Sequence, residues 1–188
     1  HWIYNKYVRE TNRKVYFIHN EVLMKKVKHV LGLLKKGKRV VCPCSSKFMV
    51  DTLYETVSSL LPNLNIKRYT SESSRSELYK DSLNTNSAWS NIDLLIYSPT
   101  ISAGVSFEIP HFHVLVAFFQ SSMQFASANT CIQQLFRVRQ LIDGDMYIFI
   151  NSVKQELPVT EKEIEKQLQK DVKSIAKVLE NCNKFVEL

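Results

Sequence analysis

The residues best suited to chemistry fall in two stretches. In Ser98-Pro99-Thr100-Ile101-Ser102-Ala103-Gly104, Thr100 and Ser102 offer hydroxyls and Gly104 lets a ligand approach the backbone closely. This loop follows an unbroken apolar run, Ile92 to Tyr97, expected to be a strand buried on both faces. Open α/β sheets place their ligands beyond the carboxyl ends of such strands. A plain connection seldom needs so many small polar residues, so a functional loop is favoured over an ordinary one. In the second stretch, a helix predicted from Ala128 to Val138, Gln133 and Arg137 are four apart and share a face, and Arg139 follows near the helix end. Guanidinium groups aimed from a helix end stabilise negative charge on a transferring phosphoryl group. A basic end complementing the helix dipole is the plainer alternative, and spacing alone leaves the two even.

Weaker candidates surround these. Ser45 and Ser46, beside Lys47, stand at a predicted strand-to-helix junction where free N–H groups favour an anion. An ordinary N-cap is the commoner use of such a serine. His111 and His113 flank Phe112 two apart on a strand, but with no third ligand nearby they read as structural histidines rather than a metal pair. Trp89, within Asn84 to Asn91, is expected to cover a sheet edge in preference to stacking on a base. Cys42, Cys44, Cys131 and Cys182 lack CxxC spacing and read as reduced thiols. That usage points to an intracellular compartment.

The elements that must position these residues alternate between strand and helix. Strands are predicted at Arg13 to His19, Lys38 to Cys44, Asn65 to Tyr69, Ile92 to Tyr97, His113 to Phe119 and Met146 to Ile150. Between them, Asn20 is placed to cap a helix from Glu21 to Lys36, with Val22, Leu23, Val27, Val30, Leu31 and Leu34 as its apolar stripe. Lys25, Lys26, Lys28, Lys35 and Lys36 make its solvated face, and Gly37 stops it. A second helix follows Ser46, with Phe48, Met49, Leu53, Val57 and Leu60 on its inner side, closed by Pro62. Ser74 to Glu77 has the spacing of a capping box for a short helix. Pro43 is expected at a sheet margin or past the last ladder bond. A final amphipathic helix is predicted from Glu161 to about Glu180.

Strands alternating with helices throughout imply an α/β fold: a mainly parallel sheet with helices on both faces, plus a C-terminal helix. The 188 residues, 45% of them hydrophobic, suffice for one full core. The net charge of +7 favours a polyanionic partner, nucleic acid first, although a basic solvated surface has the same charge. The longest apolar run is a strand in length, well short of the ~20 residues of a membrane span, and no membrane partner is expected.

The motifs SPTISAGVSF (Ser98 to Phe107), His111-Phe112-His113 and QQLFRVR (Gln133 to Arg139) resemble superfamily 2 DNA helicases of the herpesvirus origin-binding-protein type, found in large DNA viruses and in some relatives fused to a primase. The resemblance covers most of Lys38 to Ile150. It implies the second RecA-like domain of such a helicase, over residues 21–150, preceded by a leading segment and first strand (1–20) and followed by a helical extension (151–188). On this resemblance, SPTISAGVSF is the fifth helicase motif: Thr100 and Ser102 touch the strand, and Gly104 and Ser106 lie toward the nucleotide. QQLFRVR is the sixth, bringing Gln133, Arg137 and Arg139 to the ATP cleft. Cys42 to Lys47 is the fourth, with Ser45, Ser46 and Lys47 on strand phosphates. Phe136 stands where a glycine is usual, and the arginines are two apart, as in the viral relatives, whereas most superfamily 2 members leave a gap of three.

The chain has no GxxxxGK[ST] loop and no acidic pair after a strand. The resemblance therefore implies a composite site for ATP and Mg²⁺, held mainly by an upstream RecA-like domain, and a segment inactive by itself. The implied partners are single-stranded DNA, that upstream domain, and a primase or other replication proteins, at the viral replication site in the host cell. A non-enzymatic basic α/β module that binds nucleic acid or a replication partner is the rival. A Rossmann-type transferase is disfavoured by the lack of a glycine-rich turn.

Overall fold

The structure, a computed structural model, describes residues 13–101, 105–121, 127–152, 160–166 and 169. The chain divides into two compact units, residues 1–153 and 154–188. In the first, the elements run β1 (Lys14–His19), α1 (Leu23–Lys35), β2 (Val40–Pro43), α2 (Lys47–Leu60), β3 (Ile66–Tyr69), α3 (Arg75–Leu83), α4 (Thr85–Trp89), β4 (Leu94–Tyr97), β5 (Val114–Ser121), α5 (Ala128–Leu135) and β6 (Asp145–Ser152). The strands form one sheet of order β1-β6-β5-β2-β4-β3. Every pairing is parallel, so all six carboxyl ends open on one edge.

Alternation along the strands makes two cores. Val40, Cys42, Leu94, Ile96, Val114 and Val116 meet α1 and α2 through Val27, Val30, Leu34, Val50, Leu53 and Val57. Val41, Leu95, Tyr97, Leu115 and Ala117 face the opposite core, built on Trp89 of α4, Leu135 of α5, Phe107 and Phe112. Helices thus cover both faces, which is why β4 reads as a continuous apolar run and is buried at every position.

Several local expectations need correction. Asn20 does not cap α1; it takes φ +52°, and its Oδ1 accepts from the backbone and hydroxyl of Ser152 at 3.0 Å each. Lys26 is not on the solvated face of α1 but 6% exposed, because it lies one turn before Val30 on the inner stripe. Leu23, Phe48 and Leu60 are exposed, and Val50 takes an inner place on α2. Ser74 forms no capping hydrogen bond, its hydroxyl being bonded to Ser76. Asn84 to Asn91 is not a plain loop: Asn84 Oδ1 accepts from Ser87 N and starts α4. Trp89 packs on Tyr69 of β3, the last strand of the sheet, and on Tyr97 of β4. It is 1% exposed, and its indole N–H donates to Tyr69 OH at 2.9 Å.

Gly37, at φ +72°, ends α1 with its N–H on Leu34 O, as its sequence position implies. Pro43 closes a central strand, not a marginal one. Cys44 N–H reaches Tyr97 O, so the nitrogen of Pro43 faces β5, in the gap between the Val41↔Leu115 pair and the Cys44↔Phe118 bridge where the pairing resumes. In the second unit, residues 161–166 are helical and Thr160 and Glu163 form a reciprocal capping box. The predicted continuation to about Glu180 falls outside the described residues, save position 169.

Candidate functional site

The arginines of QQLFRVR are placed by backbone that belongs to no long element. Ser127 Oγ accepts from Thr130 N and starts α5. The helix ends at Leu135 rather than Val138, with Phe136 N–H bonded to Gln133 O. Beyond it the chain is extended, and Phe107 captures it: Phe107 N donates to Arg137 O and Arg139 N donates to Phe107 O, both at 2.8 Å. Val138, fully buried, anchors this segment in the second core. Gln133 and Arg137 therefore do not share a helical face. Instead Arg137 and Arg139, flanking an inward Val138, project to the same outer side.

Arg13 fastens the turn. Its Nη2 donates to Val138 O at 2.7 Å and Arg139 O at 2.8 Å, and its Nη1 to Leu135 O at 3.4 Å. Its guanidinium also lies 5.1 Å over the Phe136 ring. Phe136 has φ −105°, ordinary for an L residue, so no glycine is required here.

Arg137 is partly buried. Its Nη1 donates to Val105 O at 3.3 Å, its Nε is buried without a hydrogen-bond partner, and no carboxylate of the described residues pairs with it. Arg139 is exposed and donates from Nε to Ser106 Oγ at 3.0 Å. That contact joins two of the sequence-derived candidates directly. Gln133 is exposed. The glutamine turned inward is its neighbour Gln134, 1% exposed, with Nε2 3.5 Å from Cys44 O and Oε1 unpaired. Tyr97 OH donates to Gln134 O at 2.7 Å; burial pushes that phenol far up, with the nearby Arg137 charge opposing weakly, so it stays a neutral donor.

The carboxyl edge of the sheet carries the remaining candidates. Ser45 is 7% exposed and locks β2 to β5: its N–H donates to Phe118 O and its Oγ accepts from Gln120 N at 3.0 Å. Ser46 caps α2, accepting from Met49 N at 3.3 Å. Lys47 is ion-paired with Asp51 at 3.0 Å and Glu72 at 2.9 Å, and these hydrogen bonds raise its pKa. Thr100 shares a 2.9 Å hydroxyl contact with the buried Ser98. Ser102 and Gly104 lie outside the described residues. Asn20, Thr70, Gln120 and Asn151 complete a polar rim around the same edge.

His111 and His113 do not converge. His111 Nε2 contacts Ile92 O at 2.8 Å, while His113 Nδ1 accepts from Arg39 N at 3.0 Å. Arg13 and Gln134 were not among the sequence candidates. Two adjacent glutamines on an amphipathic helix hint that one turns inward, whereas nothing local marks Arg13, which is more than a hundred residues from its partners.

A family model described as origin of replication binding protein matches residues 73–164. The chain is 33% identical over 165 residues to the "Putative helicase/primase complex protein" of African swine fever virus (isolate Tick/Malawi/Lil 20-1/1983), covering 88% of this chain. It is 26% identical over 120 residues to the replication origin-binding protein of Human herpesvirus 6A (strain Uganda-1102), covering 64%. The chain is similar to viral proteins named for a helicase/primase complex and for replication origin binding. It spans 14% of the length of each of these two relatives. The fold agrees with that of domain 2 of the DEAD-box helicase Mss116p, solved bound to an RNA duplex, with a TM-score of 0.54 at 11% identity, over 82% of this chain and 68% of that one. The sheet is RecA-like.

Proposed function

We propose that this chain is the second RecA-like domain of an ATP-dependent DNA helicase used in viral genome replication. The observation that carries the proposal is Arg137: a partly buried guanidinium with an unpaired Nε and no carboxylate partner among the described residues. A buried cation without a counter-charge is costly, so the position suits a group that meets an anion supplied from outside. A γ-phosphate presented by a neighbouring RecA-like domain is such an anion. ATP and Mg²⁺ would be held mainly by that domain, whose phosphate loop supplies the nucleotide's binding energy. The residues of this chain then act by orientation. Arg13 and Phe107 fix the backbone of Arg137 and Arg139, and Ser106 holds Arg139 to the fifth motif.

On the strand side, Thr100 and Ser102, with Ser46 at the start of α2, would meet phosphates rather than bases, so binding should read no sequence. Ser45 contributes by holding β2 to β5, because its hydroxyl is already engaged. Lys47 would reach a phosphate by exchanging Asp51 or Glu72 for it. Relatives named for a helicase/primase complex and for origin binding support replication proteins as partners, at the site of viral DNA synthesis inside the host cell.

The test is hydrolysis and strand displacement by the full-length protein. A motor hydrolyses ATP, does so faster with single-stranded DNA, and separates a tailed duplex. A protein that binds the strand but shows no hydrolysis under any condition is the basic binding module instead. The isolated 188-residue chain is expected to hydrolyse no ATP.

A further inference from the structure

Among the described residues, one buried charge that the motifs above do not use has no ionic partner. Lys26, in the first turn of α1, is 6% exposed, and its ammonium donates to the neutral amide of Asn151 at 2.8 Å. The described lysines in salt bridges, Lys25, Lys38, Lys47 and Lys67, all meet carboxylates. Glu21 is the carboxylate whose field reaches Lys26, and it is held by Lys25 at 3.1 Å. Burial accordingly lowers the pKa of Lys26.

The ammonium lines a cleft of about 110 Å³ with Ser46, Phe48, Gln120 and Asn151. The cleft lies at the carboxyl ends of β2, β5 and β6, where the starts of α1 and α2 also converge. Both helix starts bring free N–H groups and positive dipole ends. A buried cation beside two positive helix ends, in a cleft otherwise lined by neutral groups and with Glu21 held by Lys25, is an arrangement completed by an anion. The cleft has room for a phosphate. Phe48 lines the same cleft and is 70% exposed, which leaves its ring free to stack on a base outside.

We propose that Lys26 and Asn151 form a seat for one backbone phosphate of a nucleic-acid strand, with Phe48 stacking on the adjoining base; this rests on the helicase reading above. The chemistry required is a phosphate joined to a planar base, and a free phosphate would satisfy only the cleft floor.

The experiment measures binding of a labelled single-stranded oligonucleotide to the full-length protein across a salt series, with thermal melting to check folding. Lys26→Met keeps the aliphatic stem and removes the charge. It should weaken binding at low salt and reduce the slope of log affinity against log salt by about 0.7, the value for one phosphate contact on a single strand. Asn151→Asp should place a carboxylate on the ammonium, fold normally and give the same loss. Phe48→Ala should weaken binding about tenfold with the slope unchanged. Wild-type affinity and slope in folded Lys26→Met and Asn151→Asp overturn the seat while leaving the helicase reading intact. If inorganic phosphate raises the melting temperature of wild type but not of Lys26→Met, and the strand's salt slope is unchanged, the site takes a free anion and the strand proposal fails. Failure of the wild type to bind any strand overturns the helicase reading and the seat together.

Discussion

Arg13 concentrates more structural work than its position near the start of the described chain implies. One guanidinium takes the carbonyls of Val138 and Arg139 and covers the Phe136 ring, so it fixes both the end of α5 and the path of the arginines beyond it. Hydrogen bonds made by a charged group contribute about 1.5–3 kcal/mol. Arg13→Ala should therefore destabilise the domain by about 2 kcal/mol, read by denaturant unfolding, and should also lower strand-stimulated hydrolysis. Arg13→Lys should recover little, because a single ammonium cannot span two carbonyls with the fixed fork of a guanidinium. Trp89 invites a second substitution. Its ring is buried among Tyr69, Tyr97 and Phe107, and it donates to Tyr69 OH. Trp89→Ala should cost about 3–5 kcal/mol, whereas Trp89→Phe should spare DNA binding by the folded protein. A Trp89→Phe protein that folds normally yet loses strand affinity would make the indole a base platform after all.

At the scale of elements, the turn after α5 shows where local sequence stops being informative. No glycine or proline stands between Phe136 and Asp143, and the helical spacing of Gln133 and Arg137 invites a longer helix. The helix ends because Phe107, some thirty residues earlier, offers a backbone partner and a burial site for Val138. Such a contact is non-local and leaves no mark in the spacing. The polar composition of Asn84 to Asn91 similarly hid α4, and Lys26 was hidden among the lysines around it. By contrast, β4 and β5 were legible because burial on both faces demands continuous apolar runs. Phe136 gives an element-scale prediction: Phe136→Gly, toward the residue usual there, should lower stability by about 1 kcal/mol through lost ring contact and a looser backbone. A gain in stability by thermal melting would contradict the role assigned to the ring.

For the whole molecule, two histidines couple folding to pH. His29 lies edge-on to Tyr147 and Phe149, and burial lowers its pKa from the usual 6.5. Burial also lowers that of His113, whose Nδ1 accepts from Arg39 N and loses that bond on protonation. The unfolded chain therefore binds protons at a higher pH than the folded one. Stability should be full above the ordinary histidine range and should fall as pH drops below about 6.5 toward the lowered folded values. Unfolding free energies across that window check this, and His29→Phe should flatten part of the slope. On the proposed reading the chain is half of a cleft: its arginines are positioned by Arg13, Phe107 and Ser106, and the anion they would meet comes from outside the described residues. The measurement that tests this most directly is ATP hydrolysis by the full-length protein carrying Arg137→Ala, with single-strand affinity determined on the same samples. Retained DNA binding with stimulated hydrolysis reduced by roughly 10³ or more is the predicted result. Unchanged hydrolysis would make Arg137 a structural charge and remove the basis for the composite site.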